Sequence, residues 1–300
     1  MPATPAAKIA ARTSGATAAA ATIGVGVLAS QALLARKRIG TTDEVPPDPT
    51  GVYGDDLPGE PLRLLVLGDS TAVGYGMDRA DATPSAMAAI GLAHLLDVPV
   101  EVRCGATVGA RSIHLTRQIA EHAAYDPQLV LVMIGANDVT HLVPARVAGR
   151  RLAAAVRRLR ARGAQVVVGT CPDLGTVQPI AQPLRSVVRR ASRYMAKRQA
   201  ISALQAGARV VSMGDLLGEL FVTHGDLLFG ADDFHPSETG YANMVGFLVA
   251  SGAAAWREKD VRESSPVTMS LDAAASEASE HAGTELVPSG RWASVLRRKR

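Results

Sequence analysis

From Arg63 onward one pattern recurs: a short apolar, β-branched run that stops at Gly or a small polar residue, then a stretch with apolar residues at helical spacing. The runs are LLVLGDS, VPVEVRCG, LVLVMIGAND, AQVVVGTCPD and ARVVSMGD. Helical spacing occupies residues 85–97, 111–124, 144–162, 183–206 and, after the last run, 237–256. Runs that are apolar without alternation belong to strands buried on both faces, and parallel strands need crossover helices. The pattern predicts an α/β fold, a three-layer α/β/α sandwich around a five-stranded parallel sheet. Aromatic residues are only 4% of the chain, so Val, Leu, Ala and Ile must build its core.

The flanks read differently. No charged residue lies between Arg12 and Arg36, and residues 14–35, opening at Ser14 and ending at Ala35, are long enough to cross a hydrocarbon layer of about 30 Å. After a basic segment, 1–13, this stretch reads as a transmembrane anchor, and Arg36, Lys37 and Arg38 behind it disfavour signal cleavage. The expected location is the membrane. Lys8, Arg12 and the amino terminus balance the three basic residues beyond, so export and cytoplasmic retention both fit the flanking charge. Residues 36–61, dense in Pro, Gly and Asp from Thr41 on, read as a linker, 62–260 as a single catalytic-sized domain, and 261–300 as a disordered tail with a basic end.

In an open α/β sheet, ligands bind outside the carboxyl ends of the strands. Those ends carry Gly68-Asp69-Ser70-Thr71, Gly105-Ala106-Thr107-Val108-Gly109 and Gly135-Ala136-Asn137-Asp138, and Asp232-Asp233-Phe234-His235 precedes the last helix. A hydroxyl, glycine amides, a carboxamide, a carboxylate and an imidazole are the inventory of acyl transfer. A serine hydroxyl needs a base to attack, and imidazole, with an ordinary pKa of about 6.5, serves near neutral pH. His235 is that candidate for Ser70. Asp232, three residues earlier, can reach the far ring nitrogen and fix the tautomer. The Ser70 amide, a glycine amide of the second loop and the Asn137 side chain can bind an oxyanion.

These four blocks, in this order and over residues 63–254, resemble the SGNH (GDSL-type) hydrolase family, and the C-P-D-L-G-T stretch from Cys171 to Thr176 is shared with its actinobacterial-like members. The resemblance implies strand order 2-1-3-4-5, as in flavodoxin, with Ser70 as nucleophile, His235 as base, and Asp232 rather than Asp233 as its orienter. It also implies an oxyanion hole of Ser70, Gly109 and Asn137. The glycine block lacks the usual neighbouring Asn, which leaves Gly105 as the alternative glycine. Cys171 to Thr176 is expected on the pocket rim. In that strand order Cys104 and Cys171 lie three spacings of about 4.8 Å apart, too far for a disulfide, which needs Cα atoms within about 7 Å.

The function expected is a serine esterase that cleaves small-molecule, lipid or carbohydrate esters through an acyl-enzyme on Ser70, with acetyl or short acyl groups preferred because few aromatics and no long apolar lid are evident. The competing reading is a membrane-tethered binding or scaffold protein with a vestigial hydrolase site. No phosphate-binding glycine motif follows a strand and no His/Cys cluster has metal spacing, so neither a nucleotide cofactor nor a metal is implied. Two basic helices, Arg146 to Arg162 and Arg185 to Arg198, read first as solvated outer faces and second as lipid-headgroup surfaces. Without interleaved aromatics they do not suggest nucleic acid.

Overall fold

A computed structural model describes residues 5–39, 45–213, 223–257, 268–280, 284–289 and 292–297. Its strands are β1 (Gly51–Tyr53), β2 (Leu62–Gly68), β3 (Val100–Cys104), β4 (Leu129–Met133), β5 (Gln165–Gly169), β6 (Arg209–Val211), β7 (Thr268–Ser270), β8 (Thr284–Ser289) and β9 (Trp292–Arg297). Its helices are α1 (Pro5–Ile39), α2 (Ser70–Val73), α3 (Pro84–Leu96), α4 (Leu115–Glu121), α5 (Ala136–Thr140), α6 (Ala145–Arg160), α7 (Leu184–Gln205), α8 (Gly225–Leu228), α9 (Glu238–Arg257) and α10 (Leu271–Glu280).

The five expected strands pair in parallel as β3-β2-β4-β5-β6, which is the order 2-1-3-4-5. Alternate residues of each strand feed opposite faces. Leu65, Leu67, Val130, Val132, Val166 and Val168 pack under α4, α6 and α7. Leu64, Val66, Leu129, Leu131 and Val167 pack under α3 and α9. Both faces are buried, which is why these strands lack polar alternation in sequence. The arginines at 146, 150, 157 and 158 lie on the exposed side of α6 while Ala148, Leu152, Val156 and Leu159 face the sheet, so this helix presents a solvated basic face. Cys104 and Cys171 are free thiols, at the ends of strands separated by two others.

Three expectations are corrected. The sheet has nine strands among the described residues, because antiparallel strands extend both edges. On one edge, residues 51–53 of the expected linker pair with β3, covering backbone groups that would otherwise be open; residues 40–44 lie outside the described residues. On the other edge, the expected disordered tail supplies β8, which pairs with β6, then β9 and β7. The reason is burial: Ala274, Ala275 and Ala278 of α10 join the core on the α7 side, and Glu285 is 1% exposed with its carboxylate accepting from Arg209 Nε at 2.8 Å and Ser251 Oγ at 2.8 Å. Residues 261–267, 281–283, 290–291 and 298–300 of that tail lie outside the described residues.

The third correction concerns the anchor. Residues 14–35 do form helix, within the 35-residue α1, but no described helix is both long and apolar enough to cross a membrane. Ala, Gly and Thr favour or tolerate the helix yet bring too little hydrophobicity for the span. The carboxyl-terminal end of α1 instead touches the domain, with Ala35 buried.

The tail's attachment is testable. Glu285→Ala leaves Arg209 buried without its carboxylate and is expected to destabilise the chain by about 3–5 kcal/mol in urea unfolding, whereas Arg209→Met with Glu285→Leu should recover most of that loss.

Candidate active site

Four loops meet where the parallel strands end. Gly68 closes β2 with φ +148, and a Cβ there would stand 1.9 Å from the Met133 carbonyl oxygen of β4. Only glycine lets the two strand ends approach so closely, and a backbone bond from Asp69 N to Met133 O, 3.1 Å, seals the approach. Gln118, buried on α4, accepts from Gly68 N at 3.1 Å and donates to Gly68 O at 2.8 Å, so both backbone groups at the turn are satisfied. Asp69 then caps α2 by accepting from Thr71 N at 3.1 Å, and Ser70 opens that helix.

Ser70, His235 and Asp232 form one hydrogen-bonded row. His235 Nε2 lies 2.9 Å from Ser70 Oγ, and His235 Nδ1 lies 2.6 Å from Asp232 Oδ2. Burial pushes the Asp232 carboxyl up, but donation from the His235 ring and from the Phe234 and His235 amides outweighs it and holds the group below the ordinary carboxylate range. An ionised carboxylate only accepts, so Nδ1 carries the proton and Nε2 is left to accept from the Ser70 hydroxyl. Tyr75 and Phe234 flank the ring, at 4.3 and 4.8 Å between centroids. The neighbouring Asp233 is exposed with φ +54, and it is Asp232 that reaches the imidazole.

Asn137 stands in the first turn of α5, after Gly135 with φ +139, where a Cβ would meet Gln199 and Cys171 at 2.6 and 2.9 Å. Its neighbour Asp138 is fully buried and accepts from Ser112 N at 2.9 Å and Ser112 Oγ at 2.8 Å, tying the Asn137 turn to the segment that follows the second loop. Gln199, buried on α7, donates to Ile134 O and accepts from Cys171 N, bracing the same turn from the other side. In the second loop, the Gly105 amide donates to Val66 O at 2.8 Å and so is committed to the sheet. Gly109 lies in the turn beyond with φ +76, exposed, and open space surrounds the position of a Cβ.

Ser70, Asn137 and His235 line a cavity of about 60 Å³; Asp232 sits behind the ring, and neither Gly105 nor Gly109 lines it. The other walls are mostly apolar, among them Ile134, Leu174, Val177, Met213 and Phe234. Asp173 and Leu174 of the C-P-D-L-G-T stretch are therefore at the pocket, as expected. Asp173 is buried, paired with Arg193 Nε at 3.0 Å and Arg189 Nε at 3.4 Å. Among the described residues no three His, Cys, Asp or Glu side chains gather as a metal site requires. The sequence alone did not point to Gln118, Gln199, Tyr75 or Phe234; a glutamine on the mostly apolar buried face of a helix is the signal that marks the two glutamines.

Residues 66–242 match the model of the GDSL-like lipase/acylhydrolase family. The chain is 37% identical over 266 residues to the GDSL-like esterase Rv1075c of Mycobacterium tuberculosis, covering 84% of each protein. Among solved structures, the fold is similar to that of TesA, with TM-score 0.52 and 22% identity over 63% of this chain and 97% of the other. It is also similar to the psychrotrophic esterase EstA of Pseudoalteromonas sp., with TM-score 0.52 and 18% identity over 66% and 99%.

Asp69 carries a pH signature distinct from that of Asp232. Burial raises its carboxyl from 3.8 to about 6, against the pull of Thr71, Gly135 and His235. A folded value above the unfolded one means the native chain holds this proton more tightly, so the contribution is present below pH 3.8 and is lost as pH rises through about 6. The melting temperature of the wild type relative to Asp69→Asn should accordingly fall between pH 4 and 6. Asp232 is held below 3.8 and titrates outside that window. A pH-independent difference between the two proteins would contradict the assignment.

Proposed function

The chain belongs to the GDSL-like lipase/acylhydrolase family and is a serine esterase, a carboxylic ester hydrolase, and we propose that Ser70 is its nucleophile, His235 its general base and acid, and Asp232 the group that orients His235. The observation that carries this reading is the row Ser70 Oγ, His235 Nε2, His235 Nδ1 and Asp232 Oδ2, with separations of 2.9 and 2.6 Å. The Ser70 oxygen attacks the ester carbonyl carbon while its proton passes to His235 Nε2, and Asp232 stabilises the imidazolium so formed. Charge moves to the carbonyl oxygen, where the Ser70 amide, the Asn137 carboxamide and the Gly109 amide are the donors we assign. Gly109 is preferred because the Gly105 amide already donates to Val66. His235 returns the proton to the departing alkoxide, leaving an acyl group on Ser70. Water, deprotonated by the same nitrogen, then attacks the acyl carbon, and Ser70 leaves with the proton from His235.

The same reading favours acetyl and short acyl groups. A water-sized site takes about 10–15 Å³ of such space, and a cavity of about 60 Å³ is of a size that supports a short acyl group. The mostly apolar walls suit a short alkyl group.

A fluorophosphonate probe should modify Ser70 in the wild type and fail in His235→Ala; labelling of another serine, or labelling independent of His235, would contradict the assignment. Ser70→Ala should lose about 10⁴-fold or more in kcat. Asn137→Ala should lose about 10²- to 10³-fold in kcat with little change in KM, because its donation matters once the oxyanion forms. On esters of one alcohol, kcat/KM should fall from acetyl and butyryl to palmitoyl, and a palmitoyl preference would overturn the short-acyl proposal.

A further inference from the structure

One wall of the pocket is held in part by a helix that lies outside the residues matched by the family model. Val177 lines the cavity, and the chain runs on from it through Ile180 to the start of α7 at Leu184. Internal backbone bonds of this segment are long, Val177 N to Leu174 O at 3.4 Å and Ile180 N to Val177 O at 3.3 Å. Other groups must therefore fix it. From the protein side, Asp173 is pinned to Arg193 and Arg189, and Arg185 donates to the carbonyls of Ile180 and Gln178 at 2.6 and 2.8 Å. From the outer side the fastening is α1. The Gln31 carboxamide donates to Gln182 O and accepts from Leu184 N at 3.0 Å, gripping the backbone with both ends of one planar group. One turn later Ala35, 6% exposed, joins Val177 and Ile180 in a small apolar cluster, against which Leu184, Val188 and Phe234 pack. Phe234 touches the His235 ring edge-on, and both Phe234 and Val177 face the cavity.

We propose that the carboxyl-terminal end of α1 is a specificity determinant of this esterase: Gln31 and Ala35 hold Val177 and Phe234 inward and so set the length of acyl group the pocket admits. The inference rests on the esterase reading of the Ser70 site. Neither residue reaches the reacting atoms, so both are positioning residues. Loosening the grip moves the wall outward and relieves longer acyl groups; adding volume at Ala35 moves it inward and excludes them. The acetyl ester, which needs least room, is the internal reference.

The test uses the full chain and p-nitrophenyl acetate and butyrate, reading the ratio of their kcat/KM values. Gln31→Ala should raise the butyryl-to-acetyl ratio by at least about threefold, part of the discrimination that one or two methylenes command in a tight apolar pocket. Gln31→Glu, which still accepts from Leu184 N but cannot donate to Gln182 O, should give an intermediate ratio. Ala35→Leu should lower the ratio by about threefold, chiefly through KM for the butyrate. Leu34→Ser, at an exposed position on the same turn, should leave it unchanged. Melting temperature and the rate of Ser70 labelling are followed in parallel, so that a fall in both esters together with lost labelling is read as damage to the site. The inference is overturned if Gln31→Ala and Ala35→Leu both keep the wild-type ratio, or if both move it in the same direction. A wild type that cleaves neither ester would instead strike at the esterase reading itself.

Discussion

Two strand ends, those of β2 and β4, come together so closely that the residue between them cannot have a side chain. A Cβ on Gly68 would stand 1.9 Å from the Met133 carbonyl oxygen, and everything that follows in the site depends on this contact. It sets Ser70 at the head of α2 next to the turn that carries Asn137, so a hydroxyl and a carboxamide share one crevice without any long loop to place them. A close approach of bare backbone in a buried place leaves polar groups to satisfy, and Gln118 meets the N–H and C=O of Gly68 together. Gln199 does the same for the neighbouring turn, through Ile134 and Cys171. The reacting groups are thus set on rigid strand ends by buried amides, the kind of preorganised support that makes electrostatic stabilisation effective.

Electrostatics sort the two buried or half-buried carboxylates beside His235 into different roles. Asp232 receives three donors and stays ionised, which fixes the imidazole tautomer. Asp69 is more deeply buried and its carboxyl is raised, so it behaves as a cap of α2 whose charge the fold resists. One environment favours the ionised carboxylate beside the imidazole and the other opposes it, although the two groups are the same chemical species.

Much of this was legible in the residues, for physical reasons that also explain what was not. Doubly buried strands have to be apolar throughout, so LVLVM and QVVVG announced themselves, and the parallel order followed from the family pattern. Ser70 and Asn137 were legible because each follows an apolar run at a polar turn, and His235 because Asp232 stands three residues before it, ahead of the last helix. The edge strands were not: β1 has three residues beside Pro and Gly, and β8 mixes polar residues and a proline into its run, so that it looks like tail until Glu285 is seen to meet Arg209. Long-range pairing of this sort leaves no local trace. Residues 14–35 misled in another way. Lack of charge is necessary for a membrane span but insufficient, and alanine-rich helix satisfied the first requirement while its hydropathy failed the second. The useful signal there was Gln31, a polar residue in the uncharged stretch of α1, which reaches the backbone around Leu184.

The order of the strands in space also has a meaning in time. As the chain is synthesised, the parallel strands β2 to β6 emerge first, Asp232 and His235 come only afterwards, and β8, which covers the open side of β6, is made later still. Between residue 211 and residue 284 the nascent sheet therefore displays an unpaired edge, bearing Val210 and Val211, to every other chain nearby. Once β8 docks, that edge is covered, and the sheet loses a template for edge-to-edge pairing with another chain.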